Sequence, residues 1–337
     1  MKAVLIKAPY DMQLVEMPDP QPKPGEALLA VRYAGICGAD LASFTGNQPF
    51  TNYPCIPGHE FSAEIISVPE NDRGLKVGDI VTCNPYFNCG DCYSCQRGLV
   101  NACTDNQTMG VQRDGAFCGL LAMPIERLIP GGGLSAKELA LIEPFAISWH
   151  AVSRGNLALG DKVLITGAGP IGLFALEAAR AQGAEVYVSD ILDGRLDMAM
   201  QFGAAGTVNP QKEDLIAFMV RVTEGNGFDT CIEACGMPET FLTCIDQAAF
   251  GGDILLIGNG KRETTFQHAI LLKKELNVYG SRNAYTADFE ALIELVKDGR
   301  VDVMQMVSAE YPADQAQEAF AALEHNDGAL VKVLLAF

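Results

Sequence analysis

KVLITGAGPIGLFALEAARAQGAEVYVSD, residues 162–190, is the stretch that decides the fold. It opens with a short apolar run, KVLIT, and turns through GAGPIG. It then continues as an apolar run long enough for a helix, IGLFALEAARAQG, and closes with a second short run, EVYVSD. Strand, glycine turn, helix and strand in that order make one βαβ unit of a parallel sheet. In the turn, Gly167 permits the sharp bend, Gly169 lets the backbone approach a pyrophosphate and Gly172 lets the helix pack close to the strand, with Pro170 and Ile171 between them. The helix starting there offers unpaired N–H groups and the positive end of its dipole to phosphate oxygens. Asp190 ends the second strand, 23 positions after Gly167 (190 − 167), close to the ~20 expected of the acid that binds the adenosine ribose hydroxyls of a dinucleotide. Glycine turns also serve as plain connections, and the acid at the strand end is what favours a nucleotide site here.

Outward from this unit the alternation persists. FDTCIEACG, GDILLIGNG and LNVYGS, with helical segments such as LDMAMQFG between strands, run to about residue 284. They predict an α/β domain over 150–284, a doubly wound Rossmann sheet covered by helices on both faces. Before it, residues 1–149 read as short β-rich segments (AVLI, ALLAVRYAG, EFSAEIISV, DIVTC) separated by Pro and Gly, with little helix. After it come two helical stretches, DFEALIELVKDG and ADQAQEAFAALEH, and a terminal strand, LVKVLLAF.

Composition narrows the partners. With 337 residues, 49% of them hydrophobic, the chain can bury a substantial core and favours two domains over one. A net charge of −18, with no basic stretch to offset it, argues against nucleic acid and anionic membranes and leaves small uncharged or zwitterionic ligands. The opening MKAVLIKAPYDMQLVEMPDP is broken too soon by Lys7, Pro9 and Asp11 for a signal peptide. No stretch reaches the ~18 apolar residues of a membrane span, so a cytoplasmic protein is predicted. In that compartment eleven cysteines are expected to be reduced, buried or metal-bound.

The Asp190 carboxylate would repel a 2′-phosphate by up to ~4 kcal/mol for charges about 4 Å apart at an effective dielectric of about 20. NAD is therefore predicted over NADP, unless Arg195 swings in to pair with the phosphate.

Cys89, Cys92, Cys95 and Cys103 form C-x2-C-x2-C-x7-C in the loop NCGDCYSCQRGLVNAC. Four thiolates so close together can surround one tetrahedral zinc ion at about 2.3 Å with no open position, a structural site for a lobe of about 84–106 that has little core of its own. An iron–sulfur cluster is the rival, disfavoured because such runs expect a shorter final spacer followed by Pro. A second group is scattered: Cys37 in AGICGAD, His59 and Glu60 in PGHEF, and Glu143 in ALIEPF. Each alone fits a buried structural role. Together they are the mixed S, N and O donors that open catalytic zinc sites use, although sequence spacing alone does not bring them together. Cys55, Cys83, Cys118, Cys231, Cys235 and Cys244 read as small core fillers, His150 as packing or a pocket wall, and His268 and His325 as surface or helix residues.

GICGAD, GHE, the four-cysteine lobe, IEP and GAGPIG, in this order and with these separations, resemble the zinc-dependent medium-chain dehydrogenase/reductase family of alcohol and polyol dehydrogenases, over essentially the whole chain. The resemblance implies a discontinuous GroES-like catalytic domain, 1–149 with 285–337, and a Rossmann NAD-binding domain, 150–284, inserted into it. It implies a catalytic zinc held by Cys37 and His59, with Glu143, Glu60 or water completing the shell, a second, structural zinc, and a homodimer or homotetramer. Glutamate in IEP is similar to the sorbitol-type branch. GNQPF followed by YP (46–54), ALIEPFAIS (140–148) and GSRNA (280–284) resemble the dehydrogenases that oxidise C5 of hexonates such as L-gulonate or L-galactonate. Arg282, with Asn283 beside it, is then the candidate for holding the substrate carboxylate; the plainer role for Arg282 is a salt bridge at the domain boundary. The family's proton relay uses Ser or Thr two places after the cysteine and His five places after it. This chain has Ala39 and Ala42, leaving Ser43, Thr45, water or a substrate hydroxyl to serve. Three readings follow: a hexonate dehydrogenase, a polyol or threonine dehydrogenase of the same chemistry, and a zinc- and nucleotide-binding regulatory protein without turnover.

Overall fold

The computed structural model describes residues 1–337, which divide into two compact units: Met1–Pro144 with Asn283–Phe337, and Phe145–Arg282. In chain order the first segment holds β1 (Lys2–Ala8), β2 (Asp11–Glu16), β3 (Glu26–Gly35), α1 (Gly38–Phe44), β4 (Glu60–Ser67), β5 (Ile80–Cys83), β6 (Tyr86–Phe87), α2 (Tyr93–Gln96), β7 (Gln107–Thr108), β8 (Leu120–Pro124), β9 (Leu128–Pro130) and α3 (Ala136–Ala140). The boundary at Pro144 falls in the first turn of α4 (Ile142–Arg154). The second unit holds β10 (Lys162–Thr166), α5 (Pro170–Ala181), β11 (Glu185–Ser189), α6 (Asp193–Gln201), β12 (Gly206–Val208), α7 (Leu215–Thr223), β13 (Phe228–Glu233), α8 (Pro238–Gln247), β14 (Ala248–Leu256), α9 (Ala269–Lys274) and β15 (Asn277–Gly280). The chain then completes the first unit with α10 (Thr286–Lys297), β16 (Val307–Pro312), α11 (Ala316–Glu324) and β17 (Lys332–Ala336).

The first unit is built on a seven-stranded sheet, β16-β17-β3-β4-β5-β9, with β8 also on β3. In β3 the residues Ala27, Leu29 and Val31 are buried in alternation, the period of a strand with one face on a core. The tail strand β17 lies antiparallel to β3, pairing Leu334 with Gly35 and Leu335 with Ala34. This pairing brings residues some three hundred positions apart in sequence into one sheet. Val333 and Leu335 join the core of Phe61, Phe117 and Phe320.

The second unit is the expected Rossmann fold: six parallel strands in the order β12-β11-β10-β13-β14-β15. Central β10 and β13 are buried almost throughout, which is why they read as continuous apolar runs rather than alternating ones. The Phe145 and Phe174 rings stack 5.2 Å apart, and Leu164, Tyr187, Phe218 and Phe228 fill the core of the sheet's other face. No helix is long and apolar enough to cross a membrane.

Candidate active site

Sheet register assembles the scattered donors of the first unit. Gly35 of β3 is paired with Glu60 of β4. Cys37, two residues beyond the end of β3, therefore meets His59 and Glu60, which stand at the start of β4. Donor atoms of Cys37, His59 and Glu60 all lie within 4.8 Å of one another. Gly35 leaves room for the Glu60 carboxylate, because a Cβ there would sit 2.4 Å from its Oε2.

Each donor is held by a group that the sequence reading passed over. Asp40, fully buried in the first turn of α1, accepts from the Cys37 N–H through Oδ2 and from the Gly58 N–H through Oδ1, both at 2.9 Å, and its Oδ1 lies 3.8 Å from His59 Nδ1. Lys332, buried on β17, places Nζ 2.6 Å from Glu60 Oε1 and 2.5 Å from Oε2. Tyr86, buried on β6, donates its phenol proton to Glu143 Oε1. Sequence signals existed for two of them. Asp40 stands three places after the cysteine, where a carboxylate reaches back to a helix N-terminus. Lys332 is a lone charge inside the apolar run LVKVLLAF, and a buried lysine requires a partner.

The electrostatics are those of a buried charge cluster. Burial raises the Cys37 thiol, with the His59 charge opposing. Burial alone would lower His59, but the Cys37 and Asp40 charges carry it well above its usual value. Burial likewise works against Lys332, and Glu60 outweighs it. Burial pushes Glu143 up to about 7 against the pull of His59. His59 Nδ1 is buried without a hydrogen-bond partner, and Glu60 Oε2 is buried with the Lys332 ammonium as its ion-pair partner. A thiol, an imidazole with an unpartnered nitrogen and a carboxylate packed together fit a cation of zinc's preferences, which would satisfy them. Glu143, expected beside them, is buried in the first turn of α4 but is not among the three mutually close donors.

The four-cysteine lobe converges more simply. The Cys89, Cys92, Cys95 and Cys103 sulfurs lie within 4.8 Å of one another, with Cys103 at 3.5 Å from Cys89 and 3.9 Å from Cys92, and none is in a disulfide. Sulfurs on a tetrahedral zinc at 2.3 Å are separated by about 3.8 Å, so one ion fits where a multi-iron cluster would be crowded. Backbone N–H groups of Cys89 and Cys92 point at the Cys103 and Cys89 sulfurs, at 3.3 and 3.4 Å.

In the second unit, GAGPIG joins β10 to α5. Gly167 has φ +100°, and a Cβ on Gly172 would meet the Gly167 carbonyl oxygen at 1.8 Å, so helix and turn touch backbone to backbone. Gly169 caps α5 with open space where a Cβ would be, and Pro170 occupies the first helical position. Asp190 accepts from the Ala168 N–H at 2.8 Å and the Leu192 N–H at 2.9 Å, and Arg195 Nη1 lies 3.6 Å from it. Gly167, Asp190, Ile191, Arg195 and Cys235 line a cavity of about 480 Å³. Cys235 is thus not a core filler as expected: β13 ends at Glu233, and the loop beyond it exposes the thiol beside Gly167. The other five thiols expected in the core are buried.

Arg282 is exposed at the end of this unit, and Asn283, with φ +53°, donates to the Asn101 carbonyl at 3.3 Å within the first unit. Ser43 and Thr45, the hydroxyls left by Ala39 and Ala42, donate to the helix carbonyls of Ala39 (3.1 Å) and Leu41 (3.0 Å), and Ser43 Oγ also lies 2.7 Å from Thr51 Oγ1.

Comparison with known proteins agrees with this picture. The alcohol dehydrogenase GroES-like domain family matches residues 23–132, and the zinc-binding dehydrogenase family matches residues 170–298. L-galactonate-5-dehydrogenase of Escherichia coli (strain K12) is 34% identical over 337 residues, covering 100% of this chain and 99% of that protein. Sorbitol dehydrogenase of Halalkalibacterium halodurans is 31% identical over 326 residues, 95% of this chain and 94% of its own. Among solved structures, an alcohol dehydrogenase from E. coli CFT073 complexed with NADH superposes with a TM-score of 0.93 at 28% identity, covering 100% of this chain and 99% of that one.

Proposed function

The chain belongs to the zinc-binding dehydrogenases with a GroES-like domain, oxidoreductases acting on CH–OH groups, and we propose that it oxidises the C5 hydroxyl of a hexonate, such as L-galactonate or L-gulonate, with NAD. The observation that carries the chemistry is the convergence of half-buried Cys37 with buried His59 and Glu60, where His59 Nδ1 lacks a hydrogen-bond partner. The substrate class rests on the full-length likeness to L-galactonate-5-dehydrogenase.

Cys37 and His59 would hold the zinc, with Glu60, Glu143 or water completing its shell. When bound, the ion supplies a Lewis acid that brings a hydroxyl's pKa toward neutrality, and the nicotinamide supplies the hydride acceptor. Asp40 fixes the loop carrying Cys37 and faces the imidazole, setting its orientation. Lys332 neutralises Glu60, so that this carboxylate can exchange at the centre without leaving an unpaired buried charge. Gly167, Gly169 and the N-terminus of α5, with Pro170, Ile171 and Gly172, receive the pyrophosphate. Asp190 takes the ribose hydroxyls and disfavours a 2′-phosphate; Arg195, beside this carboxylate, is already engaged by it. Arg282 is the candidate for the substrate carboxylate. Asn283 shapes the turn after it. Cys89, Cys92, Cys95 and Cys103 close around the structural zinc. A reduced, cytoplasmic setting and a homodimer or homotetramer complete the reading.

A polyol substrate is the second reading, favoured by the likeness to sorbitol dehydrogenase. The test is a panel of L-galactonate, L-gulonate and other hexonates against sorbitol, xylitol and threonine, followed by NADH absorbance. We expect turnover with a hexonate; turnover with sorbitol or threonine and none with any hexonate would overturn the substrate assignment.

A further inference from the structure

The Tyr86 phenol is a buried polar group with a pinned backbone and a single acceptor, Glu143, itself buried and outside the close donor set. We propose that Tyr86 is a positioning residue that holds Glu143 in an outer place and leaves Glu60 as the carboxylate nearest Cys37 and His59. This rests on the reading that Cys37 and His59 hold the metal.

The support is the rigidity of the segment that carries the phenol. Asn84 Oδ1 accepts from the Tyr86 N–H at 3.0 Å. Arg127 donates to the Tyr86 carbonyl at 2.5 Å and to Asn88 Oδ1 at 3.0 Å. The next ring, Phe87, has the Arg113 guanidinium 3.6 Å from its centroid and that of Arg127 at 4.4 Å. Asn88 in turn points its amide at Cys95 Sγ, 3.8 Å away. A phenol held this way cannot follow a carboxylate that swings, so an inward move of Glu143 breaks its hydrogen bond and orphans a buried hydroxyl. Glu60 is held instead by the buried Lys332 ammonium, whose three donors on a four-carbon stem can follow a shifted carboxylate.

Cobalt-substituted full-length protein tests this through its d–d absorption, with zinc release to a chelator as a second readout. Glu143→Gln, which keeps an acceptor for the phenol, is expected to leave band and release rate as in the wild type. Tyr86→Phe is expected to free Glu143 to join the ion, weakening the d–d band as coordination rises and slowing zinc release about tenfold, the scale of outer-shell effects on metal sites. Tyr86→Phe with Glu143→Gln should return to the wild-type band. The proposal falls if Glu143→Gln alone alters the band, since Glu143 would then already be a ligand, or if Tyr86→Phe leaves both readouts unchanged. Should Tyr86→Phe fail to fold, an altered band in Glu143→Gln still overturns the proposal. Absence of cobalt from the Cys37 centre of the wild type would overturn the metal reading and this inference with it.

Discussion

The two donor clusters of the first unit are built in opposite ways. The four cysteines fall within the fifteen residues 89–103, in a loop with one turn of α-helix, one 3-10 turn and almost no core. The Cys37 cluster draws on the end of β3, the start of β4 and the tail strand β17, with Asp40 behind Cys37 and His59 and Lys332 behind Glu60. In the lobe the donors share one short loop; at Cys37 the sheet gathers them from distant parts of the chain. The contrast predicts that disturbing the two clusters has different consequences.

The largest effect is expected in the lobe. Structural zinc contributes about 10–16 kcal/mol in zinc-finger peptides, so Cys92→Ser should reduce the zinc content from two per chain to one and make residues 84–106 a protease target. Metal analysis with limited proteolysis reads both, and a protease-resistant variant would break the contrast. Next, Lys332→Met should cost about 3–5 kcal/mol in denaturant unfolding, because it strands the Glu60 charge in the interior. Adding Glu60→Gln should recover most of that loss, whereas equal stabilities of single and double variants would mean that the pair is not what holds Glu60.

The nucleotide turn sharpens the comparison from the second unit, where the Asp190 carboxylate braces the loop and is proposed to select the ligand. Asp190→Asn should shift the preference toward NADP by up to ~4 kcal/mol, read as the ratio of the two dissociation constants. An unchanged ratio would assign Asp190 to bracing alone, through its bonds to Ala168 and Leu192. The smallest change is expected from Asp40→Asn. Zinc affinity of the Cys37 centre should fall about 10- to 100-fold while the lobe's zinc stays in place. Equal loss from both sites would point to general unfolding.

The same contrast explains what could be read from the residues. The glycine turn, Asp190 and the four cysteines are local: each is a spacing within one loop or one βαβ unit, and the chemistry follows from the spacing. The Cys37 cluster has no such spacing, and resemblance had to suggest it, because what unites it is the register that sets Gly35 opposite Glu60. Lys332 depends on the pairing of β17 with β3, and Tyr86 on a contact between β6 and α4; neither motif spacing nor charge pattern links position 332 to position 60 or position 86 to position 143. Cys235 was misplaced for the converse reason. Its neighbours CIEAC read as one buried strand, yet the strand stops at Glu233 where that side chain turns to accept the N–H groups of Cys235 and Gly236.

Zinc content measured alongside turnover in Cys37→Ala decides whether Cys37 belongs to a catalytic metal centre separate from the lobe. One zinc per chain in place of two, retained NADH binding and no NADH formation from any hexonate are expected. A variant that keeps two zinc ions and wild-type turnover would contradict that assignment.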